Sequence, residues 1–184
     1  LIFLGVILFT GGGFQGLLIM LFVFASVVLH ELGHALTARA QGLPIVDISL
    51  YPFGGMARMS KPPRTTRDEI LMAAAGPAVS LVLGLLLALM ALATHSAAVW
   101  LLAQVNLMLG AFNLLPALPM DGGRILRAVL ARKRGFYRAT SLAARVARWI
   151  AAGLAIAGVV YSWWFLVMAA FVLLTSLAEE GAAR

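Results

Sequence analysis

The chemistry starts from five residues, His30-Glu31-Leu32-Gly33-His34. On a helix, positions i and i+4 share a face, so His30 and His34 can each offer a ring nitrogen to one metal ion. Glu31 lies beside them and can reach a water at a remaining coordination position, where it would act as general base. The chain has no cysteine. Disulfides and thiolate chemistry are excluded, and a metal must be held by His, Asp or Glu. The structural alternative is a pair of neutral histidines hydrogen-bonded to neighbouring helices. It leaves Glu31 without a reason to stand in an apolar stretch, where ionisable residues are costly and by default functional.

The elements that must position these residues are hydrophobic. Of 184 residues, 62% are apolar and 11% charged, with a mean hydropathy of +0.99. So little charge cannot cover a water-facing surface, which excludes an ordinary soluble domain and makes lipid the solvent. The run Leu1 to Thr10 reads as the end of a truncated helix, broken by Gly11, Gly12 and Gly13, and carries no signal-peptide pattern. Apolar runs follow over about Phe14–Ala38, Asp68–Ala93, Ala97–Leu115, Thr140–Val160 and Trp163–Leu177. The second of the six, counting the truncated run, carries the histidines. Between it and the third, Ile45–Met59 reads as a short β-hairpin turning at Pro52-Phe53-Gly54-Gly55, followed by an exposed Lys61-Pro62-Pro63-Arg64 loop. Arg124 to Arg138 reads as a basic, partly amphipathic connector. The expected fold class is therefore an all-α polytopic membrane protein. It has about six transmembrane helices, the first truncated, and a small β-hairpin between helices two and three.

The formal net charge of +7 invites a nucleic-acid partner, but no nucleic-acid motif accompanies it. Lys and Arg instead gather between spans two and three, and between span four and the start of span five. Arg184 is the one remaining. The other turns carry none. This alternation places the basic loops on the cytoplasmic side of the lipid bilayer. It also places the ends of spans two and four on one side. A catalytic zinc wants three protein ligands and an open position. His95 falls in a turn on the opposite side. Asp121 is the sole acid between Glu69 and Glu179 and falls just past span four, so elimination favours it as third ligand. Gly122 and Gly123 would let the backbone bend close to the metal. The alternative for Asp121 is an N-cap of the connector helix. Asn113 ends span four at similar depth. Its amide can donate to a developing oxyanion, or can simply tie helices together.

His30 to His34 in one span, followed by Asn113-Leu114-Leu115-Pro116 and Asp121-Gly122, closely resembles the site-2 protease family of intramembrane metalloproteases. The resemblance covers about Phe14 to Arg134. Phe53-Gly54-Gly55 and Ala75-Gly76-Pro77 are also similar to that family's motifs. Met120-Asp121-Gly122 departs mildly from the family's usual Leu-Asp-Gly. The resemblance implies one Zn2+ per chain held by His30, His34 and Asp121, with Glu31 as catalytic base. It implies an assisting role for Asn113 in substrate or oxyanion binding. It implies hydrolysis of peptide bonds within or near a transmembrane segment of a membrane-protein substrate. Some members carry a PDZ domain or a CBS pair. Neither pattern occurs in residues 1–184, which read as a single membrane-embedded domain, with any regulatory domain or protein outside this chain. The expected location is a prokaryotic cell membrane, with the active site toward the cytoplasm.

A substrate helix hides its amides in its own hydrogen bonds and must unwind before attack. The hairpin around Gly54 and Gly55 would offer an edge for strand addition by the unwound segment, or would be a plain loop. Two other classes use the same ligands: a non-catalytic zinc-binding scaffold, and a metal-ion transporter. A transporter wants ligating groups along a path across the membrane, whereas these cluster at one side.

Overall fold

The computed structural model describes residues 13–43, 45–51, 54–59, 63 and 65–183. The expected truncated run at Leu1–Thr10, the turn residues Pro52 and Phe53, and Lys61, Pro62 and Arg64 lie outside them. In chain order the elements are α1 (Gly13–Ala40), β1 (Ile45–Tyr51), β2 (Gly54–Met59), α2 (Thr66–Thr94), α3 (Ala97–Asn113), α4 (Asp121–Arg134), α5 (Phe136–Val160) and α6 (Trp164–Ala182). Four of the helices, α1, α2, α5 and α6, are long and apolar enough to cross a membrane. At 17 residues, α3 is a shorter apolar helix. Large side chains such as Leu89 and Leu92 stand 64% and 65% exposed. In water that would be a liability, and in lipid it is the expected surface.

Local chemistry explains where the elements begin and end. Thr65 caps α2: its hydroxyl accepts from the Asp68 N–H while the Asp68 carboxylate accepts from the Thr65 N–H, a reciprocal box that satisfies two orphan donors. Ser96 caps α3, after His95 has turned the chain with φ of 51°. The connector is a separate helix, α4, that starts at Asp121 and stops at Gly135, whose φ of 75° suits glycine. Helix α5 then begins at Phe136, four residues before the sequence expectation of Thr140, because nothing after Gly135 breaks the helix. β1 and β2 pair antiparallel, with Leu50 opposite Gly55 and Tyr51 opposite Gly54. The pair packs beside α1.

Helix α2 is the hub, packed against α1, α3 and α4. Its approach to α1 is close: a Cβ on Gly33 would meet the Val79 side chain at 2.9 Å and the Ala75 carbonyl at 3.0 Å. Where lipid supplies no hydrophobic drive between helices, small residues that admit the neighbour's backbone are what allow tight packing. Helix α5 likewise buries Ala139, Ala143, Ala147 and Ala151 along one stripe. Residues 117 and 120, from the segment leading into α4, pack with Ala147, Ala151 and Val172 of α5 and α6. A charged tie closes one end. Arg127 of α4 donates to Glu69 of α2 at 2.6 Å and to Glu179 of α6 at 3.1 Å. Arg148 of α5 donates to Glu180 of α6 at 2.6 Å.

Candidate metal centre

The site forms where α1, α2 and the start of α4 meet. His30 and His34, one helical turn apart on α1, both face inward and are 3% and 7% exposed. Asp121 is the first residue of α4, and Met120, which precedes it, makes no side-chain cap. The Asp121 carboxylate points instead at the histidines. His30 Nε2 and His34 Nε2 each lie 3.2 Å from Asp121 Oδ2, and 3.2 Å from each other. Three corners of a tetrahedron drawn about 2.0 Å from a central zinc are about 3.3 Å apart, using ordinary Zn–N and Zn–O lengths. The observed triangle fits that spacing, and the donor set of two imidazoles and one carboxylate suits zinc.

The nitrogens not used by this triangle are spoken for by α2. His34 Nδ1 lies 2.7 Å from the Met72 carbonyl, which can only accept, so Nδ1 carries a proton and Nε2 is the nitrogen left to coordinate a metal. His30 Nδ1 lies 2.9 Å from the Ser80 hydroxyl, which is buried. With Nδ1–H donating there, His30 Nε2 is freed in the same way. Met72, Gly76 and Ser80 recur every four residues, so all three face α1. Gly76 is required between the two contacts. A Cβ there would collide with His34 Nε2 and lie 2.7 Å from His30 Nε2, inside the space the ring nitrogens share.

Burial by itself would push the Asp121 carboxyl up. When no metal is bound, a proton on Nε2 lets His30 and His34 donate to Asp121, and with the charge of nearby Arg124 these bonds hold its carboxyl down at about 2; a bound metal would take the place of those protons. The group is therefore ionised at neutral pH, as a metal ligand must be. Glu31 is partly buried. Its carboxylate and the nearer nitrogens of His30 and His34 all lie within 4.8 Å of one another. That places a base beside the triangle.

Several expectations are refined by this geometry. His95 turns the chain at the far end of α2, about four turns beyond Ser80, or roughly 22 Å along the helix. Gly122 and Gly123 serve a different contact from the one expected. A Cβ on Gly122 would strike the Leu114 carbonyl and one on Gly123 the Ala117 backbone, so the pair seats the first turn of α4 on the 114–118 segment. Asn113 ends α3, and its side-chain N–H donates to the Leu109 carbonyl of its own helix at 3.0 Å. Gly54 and Gly55 open β2, away from the triangle in sequence and joined to β1 by backbone pairing. Sequence reasoning missed Ser80 and the Met72 carbonyl. The only available signal was their spacing around Gly76, and serines and methionines are common in apolar helices for other reasons.

The peptidase family M50 model matches residues 18–97 and 90–156. A zinc metalloprotease of Methanocaldococcus jannaschii is 42% identical over 138 residues, 72% of this chain and 40% of that protein. The chain spans less than half the length of the curated relatives it matches. Among solved structures, a site-2 protease from Methanocaldococcus jannaschii superposes with a TM-score of 0.78 at 35% identity, covering 97% of this chain and 86% of that one. The matched segments run through both histidines and Asp121, and the chain belongs to peptidase family M50.

Proposed function

We propose that this chain is an intramembrane zinc metalloprotease, hydrolysing peptide bonds within or near transmembrane segments of membrane-protein substrates. The observation that carries this reading is the 3.2 Å triangle of His30, His34 and Asp121 beside Glu31, set among apolar helices. The names of its relatives, zinc metalloprotease and site-2 protease, support it.

In this reading His30, His34 and Asp121 hold the zinc, which supplies Lewis-acid polarisation of the scissile carbonyl. Glu31 takes the proton of the attacking water and returns it to the leaving amine. Ser80 and the Met72 carbonyl fix both imidazoles in the tautomer that leaves Nε2 free. Asn113 assists by donating its amide to substrate or to the developing oxyanion, after exchanging its bond to Leu109. The unwound substrate adds as a further strand to the β1–β2 hairpin near Gly54 and Gly55, and the packing of that hairpin beside α1 favours this. The clustering of Lys and Arg supports a site open toward the cytoplasm. His34 stands about 9 Å from the end of α1, close enough to that face for water to reach it.

The test is cleavage of a tagged single-span substrate by reconstituted wild type and Glu31→Gln, with zinc content measured on both. We expect full zinc in both and a loss of cleavage of at least about a hundredfold in the variant, the usual range for a missing general base. Equal cleavage by the two proteins sinks the catalytic role of Glu31.

A further inference from the structure

We propose that a groove on α5 is a binding site for the headgroup of an anionic phospholipid. The groove has a volume of about 330 Å3 and is lined by Arg145, Arg148, Trp149 and Ala152. It lies well away from the metal centre in sequence and on a helix that contributes nothing to the triangle. Arg148 already donates through Nη1 to Glu180. Arg145 is exposed and has no ion-pair partner among the described residues. The groove therefore holds one guanidinium balanced by Glu180 and a second that is free to pair with an anion.

The exposed face of α5 identifies the source of that anion. From its start the face carries Arg138 and Arg145, then Trp149, then Ile156 and Val160. Trp149 is 75% exposed, and Ile156 and Val160 are 68% and 65% exposed. The surface thus changes from basic to aromatic to apolar along one line. Basic residues and Trp in that order mark the level where headgroups give way to acyl chains. Arg148 gives a second measure of the same level, because its partner Glu180 ends the apolar helix α6. A phosphate beside Arg145 would put the attached acyl chains along Ile156 and Val160. The small Ala152 leaves room for the glycerol between them. Free phosphate would use the guanidinium but gain nothing from the apolar strip below it. Guanidinium matches phosphate oxygens in a fork that lysine lacks.

The test is native mass spectrometry of the full chain in detergent, titrated with phosphatidylglycerol or with phosphatidylcholine of the same acyl chains. Wild type is expected to retain phosphatidylglycerol preferentially. Arg145→Gln should weaken that retention about fivefold, the share of one cation near an anionic surface. Arg132→Gln makes the same charge change at the exposed end of α4 and should leave retention near wild type. Zinc content of both variants reports that the fold persists. Inorganic phosphate at matched concentration should leave the lipid in place. Equal retention by the two variants, or displacement of the lipid by inorganic phosphate, overturns the proposal.

Discussion

Replacing Gly76 by alanine adds a single methyl group, and the geometry says how much that should matter. The new carbon would lie 2.6 Å from His34 Cε1 and 2.7 Å from His30 Nε2, with His34 Nε2 nearer still. Carbon contacts settle at about 3.5 Å or more, so the His34 ring must retreat by roughly 1 Å. Metal ligands tolerate displacements of about 0.2 Å, and the triangle has edges of only 3.2 Å. A retreat of that size removes one of three ligands. It also pulls His34 Nδ1 from the Met72 carbonyl, a bond of 2.7 Å. Loss of an outer partner alone costs ten- to a hundredfold in metal affinity, so the combined loss should reach at least about a hundredfold. That corresponds to about 2.8 kcal/mol. Overpacking of this kind costs about 1–3 kcal/mol in stability, leaving a folded protein to measure. The assay is zinc competition against a chromophoric chelator, with circular dichroism as the fold control. Gly153→Ala is the comparison, because a Cβ there meets nothing within 4 Å. Wild-type zinc affinity in Gly76→Ala would refute the geometry of the site.

The remaining expectations concern neighbours of the triangle and the charged tie. Ser80→Ala should weaken zinc binding about ten- to a hundredfold by releasing His30 Nδ1, while Ser80→Thr keeps the hydroxyl and most of the affinity; chelator competition reads both. Asp121→Asn should lower the zinc content of purified protein well below one per chain, measured by plasma mass spectrometry, because it removes the anionic ligand while keeping the shape. Arg127→Gln should lower the thermal midpoint in detergent, at a cost of about 1–3 kcal/mol, while zinc content stays at the wild-type level. The change leaves the half-buried Glu69 and Glu179 without their shared cation and touches none of the three residues of the triangle.

Much of this protein was legible in its sequence because membrane and metal chemistry both restrict residue type severely. Long apolar runs had to be helices, since lipid offers backbone groups no partner. The spacing of His30 and His34 follows from the helical turn, and Asp121 follows from the absence of cysteine and the side of the membrane. The turn at His95 was legible too, whereas the break at Gly135 was not, because Arg124 to Arg138 reads as one basic connector. What the sequence could not supply was contact across helices. That Met72 and Ser80 hold the outer nitrogens of the histidines, that Gly76 makes room between them, and that Gly122 and Gly123 seat α4 on the preceding segment all depend on how α1, α2 and α4 approach one another. Serine, methionine and glycine serve many purposes in apolar helices, and their roles appear only when a neighbour is in place. The sequence determined which groups could bind a metal. The tertiary structure decided that three of their atoms stand 3.2 Å apart, because only packing fixes distances between residues 91 positions apart in the chain.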